Sequence, residues 1–158
     1  MNKKAFLLGE ETVKIVIAVI CIVFLIALLV SIYFSATGNQ QKVEAEKVME
    51  NVLVPEINKV NMGGETNADG ILIPNPAGWY AFSFADGDKK PNTCSGQNCI
   101  CLCKDIWFKI FDRQIKECSN KGVCEIVSNL KNFDKIKIGK AGTFVFVQKI
   151  NNFIYISK

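Results

Sequence analysis

The sequence predicts an α+β chain: a single N-terminal transmembrane helix continuing into an amphipathic helical stalk, then a small antiparallel, β-rich, disulfide-bonded head. Three observations carry this. A twenty-residue uncharged apolar run, Ile15–Phe34, stands near the start. The apolar period then changes from helical to alternating after Gly63. Of the seven cysteines, six are clustered between positions 94 and 124. The organisation that follows is residues 1–14 as a basic tail or leader, 15–34 as the transmembrane helix, 35–62 as the stalk and 63–158 as the head.

The first element is the plainest. Fifteen of the twenty residues in IVIAVICIVFLIALLVSIYF are Ile, Val, Leu or Phe. As a helix the run extends about 30 Å, the depth of a bilayer's hydrocarbon core. Its side chains favour insertion by about 5–9 kcal/mol in total. A core helix of a water-soluble domain keeps a polar stripe, and this run keeps none. The competing reading is a secretory signal peptide, with Ser35-Ala36-Thr37-Gly38 as a weak cleavage site; such apolar regions are normally shorter. Lys3, Lys4 and Lys14 precede the span, whereas Lys42 and Lys47 follow it among acids. This predicts a cytoplasmic N-terminus and an extracytoplasmic C-terminal domain in the cell membrane. Cys21, inside the span, reads as a small hydrophobe.

The residues ahead of the span are Met-Asn-Lys-Lys-Ala-Phe-Leu-Leu-Gly-Glu-Glu. Cleavage between Ala5 and Phe6 would make Phe6 the first residue of a mature chain and Glu10 its fifth. This arrangement resembles type IV pilins and related class III signal-peptide proteins. There a basic leader ends in Gly or Ala, the mature chain often begins with Phe, and a Glu stands fifth. The resemblance implies assembly of a homo-oligomer or surface filament through the N-terminal helix, with Glu10 as an assembly contact pairing with a neighbour's new terminal amine. A carboxylate near lipid needs such a partner. Ala5 stands where bacterial pilins have Gly, as archaeal-type leaders allow. Gly9, Glu11 and Lys14 depart from the uninterrupted apolar start of that family, so a plain single-span anchor is the alternative.

After an expected break at Thr37-Gly38-Asn39, the stretch Gln40–Val60 is helical by period. Ala45, Val48, Met49, Val52, Leu53, Ile57 and Val60 recur at three- and four-residue steps. That stripe packs either on the chain's own head or on neighbouring helices. Pro55 should kink or end the helix, and Asn61-Met62-Gly63-Gly64 should stop it.

In the head, Ile71–Ile73 reads as a strand ended by Pro74-Asn75-Pro76. Trp79–Phe84 alternates, with Tyr80, Phe82 and Phe84 on one side and Trp79, Ala81 and Ser83 on the other. Cys99–Cys103 is a strand with its cysteines on one face and Ile100 and Leu102 on the other. Asp105–Cys118 suits a helix capped by Asp105. Ile136–Ile138, Thr143–Gln148 and Phe153–Ser157 are β-type runs, the last two joined around Asn151-Asn152 in a tight turn. A head this small gains from cross-links.

Cys94, Cys99, Cys101, Cys103, Cys118 and Cys124 are even in number and lie in a segment expected outside the cytoplasm, which reads as a disulfide framework. Cys99, Cys101 and Cys103 share a face of one strand and should pair outward with Cys94, Cys118 and Cys124, in a connectivity the residues leave open. The rival classes are a metal or iron–sulfur centre, which the C-x-C-x-C spacing matches poorly, and redox thiols.

Zero His removes Ser–His and Cys–His nucleophiles. No phosphate loop or paired-carboxylate constellation is present, so neither catalysis, a cofactor nor a metal is expected. Net charge is +4, too mild for a nucleic-acid binder. It is unevenly spread: positions 35–88 hold three Lys and eight acids, and positions 89–158 hold thirteen Lys plus Arg and five acids. The densest basic run is Lys131, Lys135, Lys137 and Lys140. The asymmetry suits a solvated surface, head-to-stalk attraction between copies, or contact with an anionic glycan or lipid. The function expected is a membrane-anchored cell-surface structural or interaction protein, with the lipid bilayer as its first partner. Alternatives are a monomeric anchored module whose ligand the residues do not name and, more remotely, an extracytoplasmic thiol redox protein.

Overall fold

In the computed structural model the backbone is described for residues 3–106 and 111–158, and side chains for 12–106 and 113–158. The chain divides into two units, Met1–Asn39 and Gln40–Lys158. Helix α1 (Lys3–Val48) spans their boundary. Gly38 does not break it. One glycine costs a helix only about 1 kcal/mol. The adjacent Thr37 hydroxyl donates back to Tyr33 O at 2.8 Å, a bond compatible with a continuing helix.

Pro55 leaves its mark one turn earlier than a simple kink would. Residues Met49–Leu53 form a π-helical turn, closed by Val54 N–H donating to Met49 O, five residues back. Helix α2 (Val54–Asn61) follows with Pro55 in its first turn. Proline has no N–H to give the turn before it. The widened turn thus absorbs the proline. The end of α2 is a Schellman motif: Gly64 N–H donates to Lys59 O at 2.9 Å and Gly63 N–H to Val60 O at 3.2 Å. Gly63 sits at φ +88°, which only glycine adopts without strain. The stop expected at Asn61–Gly64 is therefore built by its glycines.

The strands form two antiparallel sheets. One has order β1-β6-β7, from β1 (Ile71–Ile73), β6 (Thr143–Ile150) and β7 (Phe153–Ser157). The other has order β4-β3-β2-β5, from β2 (Trp79–Phe84), β3 (Cys99–Lys104), β4 (Val123–Ile126) and β5 (Ile136–Lys137). The β6–β7 turn has positive φ at both Asn151 (49°) and Asn152 (68°), the conformation that matches strand twist in a two-residue hairpin. Helix α3 (Phe111–Lys121) lies between β3 and β4 in sequence. The Asp105 carboxylate accepts from Lys135 Nζ, and Ile106 N–H donates to Gln114 Oε1 at 2.9 Å; the first turn that Asp105 is expected to cap lies outside the described residues. Positions 107–110, also assigned to that helix from sequence, lie outside the described residues.

The principal core is formed by one stripe and two sheet faces. Ala45, Val48, Met49, Leu53, Ile57 and Val60 from the stalk are buried. They cluster with Trp79, Ala81, Ile100 and Leu102 of one sheet and Ile73, Val145, Val147, Ile154 and Ile156 of the other. The stalk stripe is therefore satisfied by the chain's own head. Polar ties reinforce the packing: Trp79 Nε1 donates to Gln41 Oε1 at 3.4 Å, and Lys149 Nζ donates to Asn61 O at 2.7 Å. The second of these places a cation at a helix C-terminus, its favoured end.

Candidate assembly helix and cystine cluster

Two parts of the chain carry functional chemistry. The first is the apolar helix. Every described large apolar side chain from Val13 to Phe34 is 42–69% exposed. In a folded chain such a surface has to be covered by something outside it. The helix is long and apolar enough to cross a membrane, and lies near the N-terminus, where a signal sequence also stands. Cys21 is exposed on it and carries a free thiol. Ala5 and Phe6, the expected leader boundary, and Glu10, the expected assembly contact, lie outside the described side chains.

The second part is built on β3. Alternation sends Ile100 and Leu102 into the principal core and Cys99, Cys101 and Cys103 to the opposite face. There three disulfides tie the strand to its surroundings: Cys94–Cys99, Cys101–Cys124 and Cys103–Cys118. Cys94 comes from a 3₁₀ turn (Asn92–Cys94), Cys124 from β4 and Cys118 from α3. Cys101 and Cys124 stand directly opposite in the β3–β4 register, with Cα atoms 4.0 Å apart. That is the close spacing of a non-hydrogen-bonded antiparallel pair.

Aromatic side chains flank this ladder. Tyr80, Phe82 and Phe84 are the β2 partners of Cys103, Cys101 and Cys99. Their ring centroids follow one another at 6.1 and 6.4 Å, the range of favourable ring contacts. Phe84 and five of the six disulfide-bonded cysteines are buried in this second cluster, the sixth, Cys124, being half-buried. Gln114 covers one end, its Nε2 donating to Lys104 O at 2.8 Å while lying 3.4 Å from Cys118 Sγ. Gly122 permits the close approach: a Cβ there would meet Cys118 O at 2.6 Å and Cys103 Cβ at 2.8 Å.

The sulfurs of Cys94, Cys101 and Cys124 lie within 4.8 Å of one another, a grouping that thiolates could use to hold a soft metal ion. All three sulfurs are spent in disulfides, and a metal ligand has to be a thiolate. The basic run of the C-terminal half is partly engaged. Lys131 Nζ lies 4.0 Å from the Phe153 ring centroid, and Lys135 pairs with Asp105 beside Tyr80.

The chain is thus a long N-terminal apolar helix followed by a small antiparallel β-sheet domain with disulfides. Disulfides of this density belong to oxidising compartments. No protein-family model, curated protein or solved structure matches it.

Proposed function

We propose that the chain is a non-enzymatic, membrane-anchored cell-surface protein: a pilin-like subunit that assembles through its N-terminal helix and displays the head outside the cytoplasmic membrane. The observation that supports this most is the exposed apolar surface between Val13 and Phe34. Before assembly, lipid covers it; in a filament, the helices of neighbouring copies do. The stalk stripe, by contrast, is already buried on the head. Assembly contacts therefore come from the helix ahead of Gln40. Leader removal between Ala5 and Phe6 would bring a new terminal amine to Glu10, neutralising a carboxylate that is costly near lipid.

The intact mass of the membrane-extracted protein tests this. A chain beginning at Phe6 supports the pilin-like reading. Retention of Met1 favours a plain single-span anchor, and an N-terminus after Thr37 favours a cleaved signal sequence; either outcome overturns the assembly mechanism.

A further inference from the structure

The three disulfides differ in what surrounds them. Cys94, Cys99, Cys101, Cys103 and Cys118 are each 0% exposed, whereas Cys124 on β4 is half-buried. Cys103–Cys118 is covered further by Gln114, whose Nε2 lies 3.5 Å from Cys103 Sγ and 3.4 Å from Cys118 Sγ. Thiol–disulfide exchange starts at a sulfur that an outside thiolate can approach. Cys124 is the half-cystine that retains surface.

The bond behind it has a second disulfide as its neighbour. Cys99 and Cys101 occupy alternate positions on one face of β3, and the loop from Cys94 closes back onto Cys99. Cys94 Sγ is thereby held 4.0 Å from Cys101 Sγ, to which it is not bonded. A reacting pair stands about 3–3.5 Å apart, so a small rotation of a released Cys101 side chain closes the gap. Cys101 thus has one partner in its disulfide and another waiting beside it.

We infer that Cys101–Cys124 is a thiol-exchange site, entered at Cys124 and relayed to Cys94. The substrate class is a small-molecule thiol, reacting as its thiolate. In the first step its sulfur bonds to Cys124 Sγ, the Cys101–Cys124 bond breaks, and the electron pair leaves on Cys101. In the second, Cys101 Sγ bonds to Cys94 Sγ, the Cys94–Cys99 bond breaks, and the pair leaves on Cys99. Cys99 takes up a proton, replacing the one the small thiol lost. One thiol is consumed and one formed, the number of disulfides is unchanged, and neither oxidant nor reductant enters. Cys101 and Cys99 are equally buried, so the protein thiol is shared between them. The site is independent of filament assembly, since an anchored monomer carries the same cluster.

The test uses the full chain in lipid nanodiscs, with Cys21 first blocked by a maleimide. Brief incubation with reduced glutathione is stopped with an isotopically distinct maleimide, and peptides are mapped without reduction. Glutathione should be found on Cys124, the second maleimide on both Cys101 and Cys99, and a cross-link between Cys94 and Cys101. Cys101–Cys124 should open at least about tenfold faster than Cys103–Cys118, as the difference in access requires. In Cys94→Ser/Cys99→Ser, glutathione should still join Cys124, with the label on Cys101 alone; should this variant fail to fold, the map of the native chain decides. Four outcomes overturn the inference: no glutathione on the native chain, glutathione on Cys101 in place of Cys124, equal rates of opening for all three disulfides, or label on Cys101 without a 94–101 cross-link.

Discussion

Ile100 and Cys101 are adjacent on β3, both fully buried, and they face opposite cores. One side chain packs with the stalk stripe, the other closes a disulfide to Cys124. The strand is the shared wall of an aliphatic core and a cystine cluster, so a defect on either face is felt by the other.

The stalk and β3 should respond alike to truncation. Leu53→Ala and Leu102→Ala each remove a side chain that is at most 1% exposed, and each should cost about 2–5 kcal/mol. Val43→Ala, at an exposed position of the same helix, should change stability by under about 0.5 kcal/mol. Denaturant titration of the full chain, followed by intrinsic fluorescence, separates the two classes. Equal effects at all three sites would contradict burial of the stripe.

Alkylation in denaturant without reduction should add one label per chain, at Cys21, and prior reduction should raise this to seven. Peptide mapping without reduction should return the pairs 94–99, 101–124 and 103–118. Labelling at Cys101 or Cys124 before reduction would remove the framework.

Two glycine substitutions should differ sharply. Gly122→Ala drives a Cβ into Cys118 O and Cys103 Cβ, at a cost of about 1–3 kcal/mol, as for other overpacked sites. A Cβ at Gly38 meets nothing within 4 Å, so Gly38→Ala should favour the helix by about 0.5–1 kcal/mol. Thermal melts by circular dichroism provide the comparison; a Tm that falls for Gly38→Ala would mean the helix is not continuous there.

The β6–β7 turn gives a third contrast. Asn152, at φ 68°, should accept Gly with little change or a small gain. Asn152→Val should cost about 1–2 kcal/mol, because a left-handed conformation crowds Cβ. Chemical denaturation of both variants measures this, and equal stabilities would argue against the turn geometry.

Where a feature rests on local alternation or period, the sequence was readable. The two faces of Cys99–Cys103, the stripe from Ala45 to Val60 and the Asn151-Asn152 hairpin all follow from neighbours a few residues apart. β4 carries no such signal: Val-Cys-Glu-Ile does not alternate and none of its residues is fully buried, and its pairing with β3 makes it a strand. The Asp105 carboxylate accepts from Lys135, thirty residues on, a partner no local pattern announces. The π-helical turn ahead of Pro55 has no three- or four-residue signature of its own; it accommodates the proline while its first and last residues, Met49 and Leu53, stay buried.

The two faces of β3 also depend differently on redox conditions. Cys99, Cys101 and Cys103 alternate with Ile100 and Leu102, so a chain held reduced can hide the aliphatic side of this strand while the other side still lacks its three ties. Cys94, Cys118 and Cys124 close those ties only where an oxidant is met. The finished head is thus a product of an oxidising environment, since its aliphatic packing alone does not supply the three ties.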